Sequence, residues 1–244
     1  ILQFGFFRRD NVKGFLSFLF SVRIKEIFGE VNSMSAVIDL IEEKKEIGET
    51  FLEERFPILL KINTKLWSDE EYFKFCQENK DLQIETNKEG DLIIMPPTGT
   101  ETGNKNADLI ILIGIWARKN KKGKVFDSNT EFTLPNGVKK SPDVSWILNE
   151  RYNALTQKER EGFSPIVPDF VVELRSKTDR LKPIQDKMAE FIENGVRLGW
   201  LIDPYKKQVH IYRKNGEIEI LENPKTVSGE DVLDGFELEL EEIF

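Results

Sequence analysis

Glu173 sits inside Phe-Val-Val-Glu-Leu (170–174), a short apolar run that reads as a buried strand. A carboxylate in such a strand is costly unless something compensates it. Asp143 poses the same problem in Ser-Pro-Asp-Val-Ser-Trp (141–146), near the start of another apolar segment. A buried carboxylate is usually paired, hydrogen-bonded or metal-bound. Two such strands side by side would place both carboxylates on one divalent cation. The fold must therefore supply adjacent strands with their acids on a common side.

Softer ligands are scarce. The chain has one cysteine, Cys76, and one histidine, His210. They exclude an intrachain disulfide framework, a cysteine-based zinc site and a histidine-rich metal site. Cys76 falls in an apolar-patterned helix and reads as a buried, inert thiol. His210 falls in a predicted strand ending in Tyr212. Oxygen ligands alone point to Mg²⁺, with Mn²⁺ as a substitute.

The pattern along the chain predicts one α/β domain. Ser68 and Glu71 form a capping-box signal for a helix ending near Asn79. A hairpin follows, from Leu82 and Ile84 through the turn Asn87–Gly90 to Leu92–Met95. A helix is predicted over 104–119, with Ala107, Ile110, Ile111, Gly114 and Ile115 on its apolar stripe. Strands over 125–134 and 138–148 flank the turn Pro135-Asn136-Gly137. A polar connector (150–166), the 170–174 strand, a helix over 180–194 ending at Gly195 and a strand over 198–202 follow. A last hairpin turns at Asn215-Gly216, and 236–240 alternate. This order predicts a mixed central sheet with a helix on each face.

The N-terminal region reads differently. Residues 1–33 are rich in phenylalanine without clear periodicity and begin with Ile1. Met34 is read as the natural start, and 1–33 as an upstream or extended segment. Residues 34–66 read as a flexible lead-in, and 67–244 as the domain. Apolar residues are 39% and charged residues 32% of the chain, a globular balance. No run approaches the roughly 18 apolar residues of a membrane span; a cytoplasmic protein with no membrane partner is expected. The net charge of −8 argues against coating nucleic acid through charge alone. Arg118, Lys119, Lys121, Lys122 and Lys124 form the densest basic run, with Lys139 and Lys140 nearby. They read as a solvated surface or as a phosphate contact.

Pro168-Asp169 offers a second acid near Glu173. Four residues along one strand span about 13 Å, whereas ligands of one Mg²⁺ lie about 2 Å from it. Asp143, on a separate strand, is the better partner for Glu173. A phosphodiester hydrolase also needs a positive group near the phosphate or the water. Two residues after Glu173 stands Arg175, not lysine. In the next helix Ile184, Met188, Phe191 and Gly195 define the inward face. Lys187 lies at its margin and reads either as a lysine reaching over the strand end or as a snorkelling surface residue. Gln185 lies on the other margin. Glu101, just before the first long helix, reads as an acid favouring the helix dipole or as a third metal-shell acid.

The segments IIMPPTGTETGNKNADL, SPDVSW, PDFVVELRSKTDRLKPIQDKM and ENGVRLGWLIDP resemble the Uma-two family of restriction-endonuclease-like proteins, within the PD-(D/E)XK nuclease superfamily. The resemblance covers roughly 66–244. It implies a restriction-endonuclease-like mixed β-sheet flanked by helices, Mg²⁺-dependent phosphodiester hydrolysis, a nucleic-acid substrate, DNA in the first place, and often a homodimer. By motif, Asp143 resembles the PD aspartate, Glu173 the (D/E) acid and Glu101 the glutamate at the start of the first core helix. The superfamily's usual lysine position holds Arg175; the family resembled tends to move that lysine to the next helix, where Lys187 stands. The expected metal set is Asp143, Glu173, the Leu174 carbonyl and Glu101, directly or through water. Arg175 also supports an alternative: a catalytically silent nuclease fold that binds nucleic acid or a protein partner.

Overall fold

Phe170, Val172 and Leu174 alternate with Val171 and Glu173, so the two sets point to opposite faces of the sheet. In the computed structural model, which describes residues 57–244, the first set packs beneath a long helix. Val171 packs on the opposite face, beneath the helix that carries Lys187. The expectations for 1–33 and 34–56 lie outside the described residues.

Thirteen strands and five α-helices follow in order among the described residues. The main sheet consists of β4 (Gly123–Asp127), β7 (Val144–Leu148), β8 (Phe170–Leu174), β9 (Leu198–Asp203), β10 (Gln208–Arg213) and β11 (Ile218–Glu222). Its order is β11-β10-β9-β8-β7-β4. Only the β8–β9 pair is parallel, joined through a helix; the others are antiparallel, so the sheet is mixed as expected.

Helix α1 (Asp69–Glu78) has both bonds of the Ser68–Glu71 capping box. Helix α2 (Thr100–Asn120) covers one face of the main sheet. Its Leu109, Ile113 and Ala117 meet Val144, Trp146, Phe170, Val172, Trp200 and Ile202. The C-terminal ribbon of β12 (Thr226–Ser228) and β13 (Glu237–Glu239) adds Phe236, Leu238 and Leu240 to this core. Two short helices, α3 (Asn149–Ala154) and α4 (Gln157–Glu161), occupy the polar connector. Helix α5 (Leu181–Glu193) covers the other face with Met188 and Phe191, both fully buried. Each such side chain contributes about 1.5–3 kcal/mol by leaving water. No described helix is long and apolar enough to cross a membrane.

A small sheet of β1 (Ile58–Leu60), β3 (Leu92–Met95) and β2 (Gln83–Thr86) stands beside the main one. Part of the expected lead-in is therefore ordered: β1 pairs with β3, and Thr64 donates through its N–H and its hydroxyl to Gly90 O, at 2.9 and 2.7 Å. Ile58-Leu59-Leu60 lacks alternation, and its order comes from edge pairing.

Three other expectations change. The buried face of α2 is Leu109, Ile113 and Ala117, while Ile111 and Ile115 of the expected stripe are exposed, because the sheet meets the helix about one residue out of the expected phase. Helix α2 begins at Thr100, not 104, because Gly99 serves as N-cap and its carbonyl accepts from Gly103 N. The strands expected over 125–134 and 138–148 are each broken. An Asx turn at Asp127, which accepts from Asn129 N, interrupts the first. Ser141-Pro142-Asp143 interrupts the second, where proline has no N–H to give. The inner pieces form a separate ribbon, β5 (Phe132–Thr133) with β6 (Lys139–Lys140), around Gly137 at φ +83°.

Candidate active site

The ladder of β7 and β8 pairs Val144 with Val172. One step further along the same register, Asp143 stands opposite Glu173. The backbone N–H of Leu174 donates to Asp143 Oδ2 at 2.7 Å, which fixes the carboxylate at the end of β8. From α2, Asn106 Nδ2 approaches Asp143 Oδ1 at 3.5 Å. Asn106 Oδ1 is buried with no hydrogen-bond partner among the described residues.

Lys187 comes from α5, one turn before Phe191. Its Nζ lies 2.8 Å from Glu173 Oε1 and 2.8 Å from Glu85 Oε1, and donates to Ser141 O at 2.9 Å. The contact with Glu173 is an ion pair without good hydrogen-bond geometry, so Glu173 Oε1 accepts no hydrogen bond among the described residues. The lysine side chain is only 14% exposed.

Glu85 was not flagged by sequence reasoning. It lies on β2, is 2% exposed, accepts from Ser141 N at 3.1 Å and pairs with Lys140 Nζ at 3.2 Å. The sequence hides it: Glu85 takes a polar position in the alternating Leu82-Gln83-Ile84-Glu85-Thr86 and reads as a solvent-facing residue, unlike Glu173 in its apolar run.

The electrostatics follow from burial. Burial pushes the Glu173 carboxyl up to about 8; Lys187 opposes this, while Asp143 and Glu85 reinforce it. Burial also raises Asp143, against the Leu174 N–H and Lys187. Burial raises Glu85 too, but Lys187 and Lys140 more than offset it and hold it below the usual glutamate value. Burial disfavours the Lys187 ammonium, yet Glu173 and Glu85 together hold it well above the usual lysine value. Lys187 therefore keeps its proton.

Other expected residues lie elsewhere. Glu101 is in the first turn of α2 with its side chain 75% exposed, and its ion partner is Lys105 at 3.3 Å. The α2 residue that reaches Asp143 is Asn106. Arg175 pairs with Asp203 at 2.8 Å, donates to Asp179 O at 3.1 Å and lies over the Tyr205 ring. It braces the ends of β8 and β9. Gln185 is half-buried on α5. Asp169 lies at the opposite end of β8, accepts from Leu148 N at 2.9 Å and pairs with Arg151 at 2.9 Å.

The basic run divides. Arg118, Lys119, Lys121, Lys122 and Lys124 are exposed. Lys139 and Lys140 are buried and engage Asp69 and Glu85, so they offer no surface to phosphates. Cys76 is half-buried, and burial, with Glu131, pushes its thiol up to about 12. His210 is buried on β10, 3.4 Å from Gln208 Oε1.

The side chains at Asp143 offer hard oxygen donors only. Two carboxylates on adjacent strands and the unpartnered Asn106 amide oxygen are donors of the right kind, and Mg²⁺ ordinarily keeps several waters besides. No group of three or more acidic, histidine or cysteine ligands occurs among the described residues.

A mixed sheet with helices on both faces and acids at its paired strand ends is a nuclease-like α/β architecture. The chain belongs to the Uma2 family, described as "Putative restriction endonuclease", whose model matches residues 69–241. A solved structure described as "a putative nuclease belonging to DUF820 from Anabaena variabilis" is similar, with a TM-score of 0.57 at 20% identity. The match covers 66% of this chain and 89% of that one. No curated protein matches the sequence.

Proposed function

We propose that the protein is a divalent-metal-dependent endonuclease that hydrolyses phosphodiester bonds in DNA. One observation carries this reading: Lys187 Nζ lies 2.8 Å from Glu173 Oε1, and Asp143 stands opposite Glu173 on the adjacent strand. Membership of a family described as "Putative restriction endonuclease" supports the substrate class.

Asp143 and Glu173 would hold Mg²⁺, with Mn²⁺ as a substitute, and Asn106, whose Oδ1 is buried and unpartnered among the described residues, would join them directly or through water. When bound, such an ion polarises a phosphoryl oxygen and acidifies water. The chain's own residues do the rest. The Leu174 N–H and Asn106 keep Asp143 oriented. Lys187, whose ammonium Glu173 and Glu85 favour, stabilises charge developing on the phosphate and orients water. Arg175, committed to Asp203, takes no part in this reading. A homodimer belongs to the same proposal, with Ile111, Leu112 and Ile115, exposed on α2, as the surface available for it.

The test is cleavage of supercoiled plasmid and single-stranded DNA with Mg²⁺ or Mn²⁺. Activity that disappears in Asp143→Ala supports the reading, and full cutting by that variant refutes it. Titration calorimetry separates the silent-fold alternative: metal binding that is lost in Glu173→Ala favours the enzyme.

A further inference from the structure

Glu85 reaches the site from the small sheet, and each of its oxygens is used. Oε1 lies 2.8 Å from Lys187 Nζ and accepts from Ser141 N at 3.1 Å; Oε2 lies 3.2 Å from Lys140 Nζ. Lys140 is shared with Glu190 at 3.6 Å. A carboxylate so occupied is a poor metal ligand. Its geometry suits a different task.

We infer that Glu85 is the positioning residue of the site: it holds the Lys187 ammonium against Glu173 and fixes the turn that delivers Asp143. The inference rests on the nuclease reading above. Lys187 stands at the edge of the α5 apolar stripe, where a lysine ordinarily extends its ammonium to water. Here the ammonium is turned inward: it donates to Ser141 O and lies 2.8 Å from both Glu85 Oε1 and Glu173 Oε1. Glu85 supplies the charge that makes this orientation favourable without drawing on Glu173 alone. The same carboxylate accepts the Ser141 N–H while Lys187 takes the Ser141 carbonyl, so Ser141 is gripped at both ends. Asp143 follows two residues later, across a proline with no N–H of its own. Glu85 thereby sets the spacing between amine and acid from a strand that belongs to neither.

The experiment is a double-mutant cycle. Glu85→Gln alone leaves a buried lysine short of a partner, so Glu85→Gln is combined with Lys140→Met to preserve the charge balance, and Lys140→Met alone is the control. Glutamine keeps an acceptor for Ser141 N. The double variant should lower kcat on the order of 10–100-fold, with KM little changed, while the control cuts like the wild type. In a Lys187→Ala background the same pair of changes should have no further effect, because Glu85 acts through Lys187. Equal losses in both backgrounds would overturn the inference in favour of a general structural role. Glu85→Asp should restore part of kcat.

A readout without activity keeps the two readings apart. Amine labelling of Lys187 at fixed pH, read by mass spectrometry, should be slow in the wild type and in Lys140→Met and fast in the double variant. A wild-type chain that binds no metal and cuts nothing would remove the nuclease reading. Slow labelling of Lys187 in the double variant would remove the role of Glu85 whatever the cleavage result.

Discussion

The Leu174 N–H donates to Asp143 Oδ2 across 2.7 Å, so the end of β8 holds the acid that precedes β7. Asp143→Asn keeps an oxygen for this bond and removes the charge. We expect the fold to survive and Mn²⁺ affinity to drop by at least about 10–100-fold, the loss that even an outer partner of a metal ligand causes. Calorimetry beside a thermal melt checks both halves.

Lys187→Met keeps most of the apolar stem and removes the ammonium. Cleavage should slow by about 10²–10³-fold, the usual effect of losing one charge-stabilising donor. Metal binding should persist, because methionine leaves both acids in place. A wild-type cleavage rate in this variant would exclude Lys187 from the chemistry.

Asp169 is the second acid in a Pro-Asp pair, and its role is the reverse of Asp143's. It is 2% exposed and ties Leu148 N and Arg151 together. Asp169→Ala should destabilise by about 1–3 kcal/mol, the cost of leaving buried groups unpaired. At temperatures where it is folded, its metal affinity should match the wild type. Urea midpoints and calorimetry give the comparison.

Glu131 is buried under α1, where Tyr72 Oη donates to its Oε1 at 3.0 Å. Burial pushes this carboxyl from the ordinary 4.5 up to about 8, although the tyrosine pulls it down. Between those values the folded chain keeps a proton that the unfolded chain has released. This group's contribution therefore falls as pH rises from about 4.5 to about 8, by at most about 1.4 kcal/mol per pH unit, and is flat above. Glu131→Gln should flatten the decline. Urea melts of both chains across that window test it: an identical pH dependence would contradict the prediction.

Gly123 opens β4 against Trp146. A Cβ there would collide with the indole and with the Ile147 carbonyl. Gly123→Ala should cost about 1–3 kcal/mol through overpacking. A thermal melt of the purified variant reports it.

Elements with a local cause were legible in the sequence. The Ser68–Glu71 box, the turns at Gly137 and Gly216 and the helix end at Gly195 carry their chemistry within a few residues. Elements made by distant partners were not: β1 exists because β3 offers it an edge, and no pattern in Ile58-Leu59-Leu60 announces that. The site divides in the same way. Glu173 is visible as a misfit in its own strand, and helix phase places Lys187 at a margin. Phase cannot say that a carboxylate from another sheet waits there, so Glu85 was missed. Glu101 shows the converse: a position that fits a motif lies three-quarters exposed, and Asn106 reaches the acid instead.

The acid and the amine of this site travel on separate pieces of chain, β8 and α5. A lysine two residues after the acid would be inherited with it as one rigid unit. Here a single residue inserted between Lys187 and Met188 would rotate the lysine by about 100° relative to Met188 and Phe191. The sheet order and the core beneath α2 would be untouched, and Met188 and Phe191 would keep the other core while Leu181 and Ile184 turned with the lysine. Copies of this gene can thus lose the cation by a change of helical phase and still encode a folded domain, so architecture and chemistry are free to part company over evolutionary time.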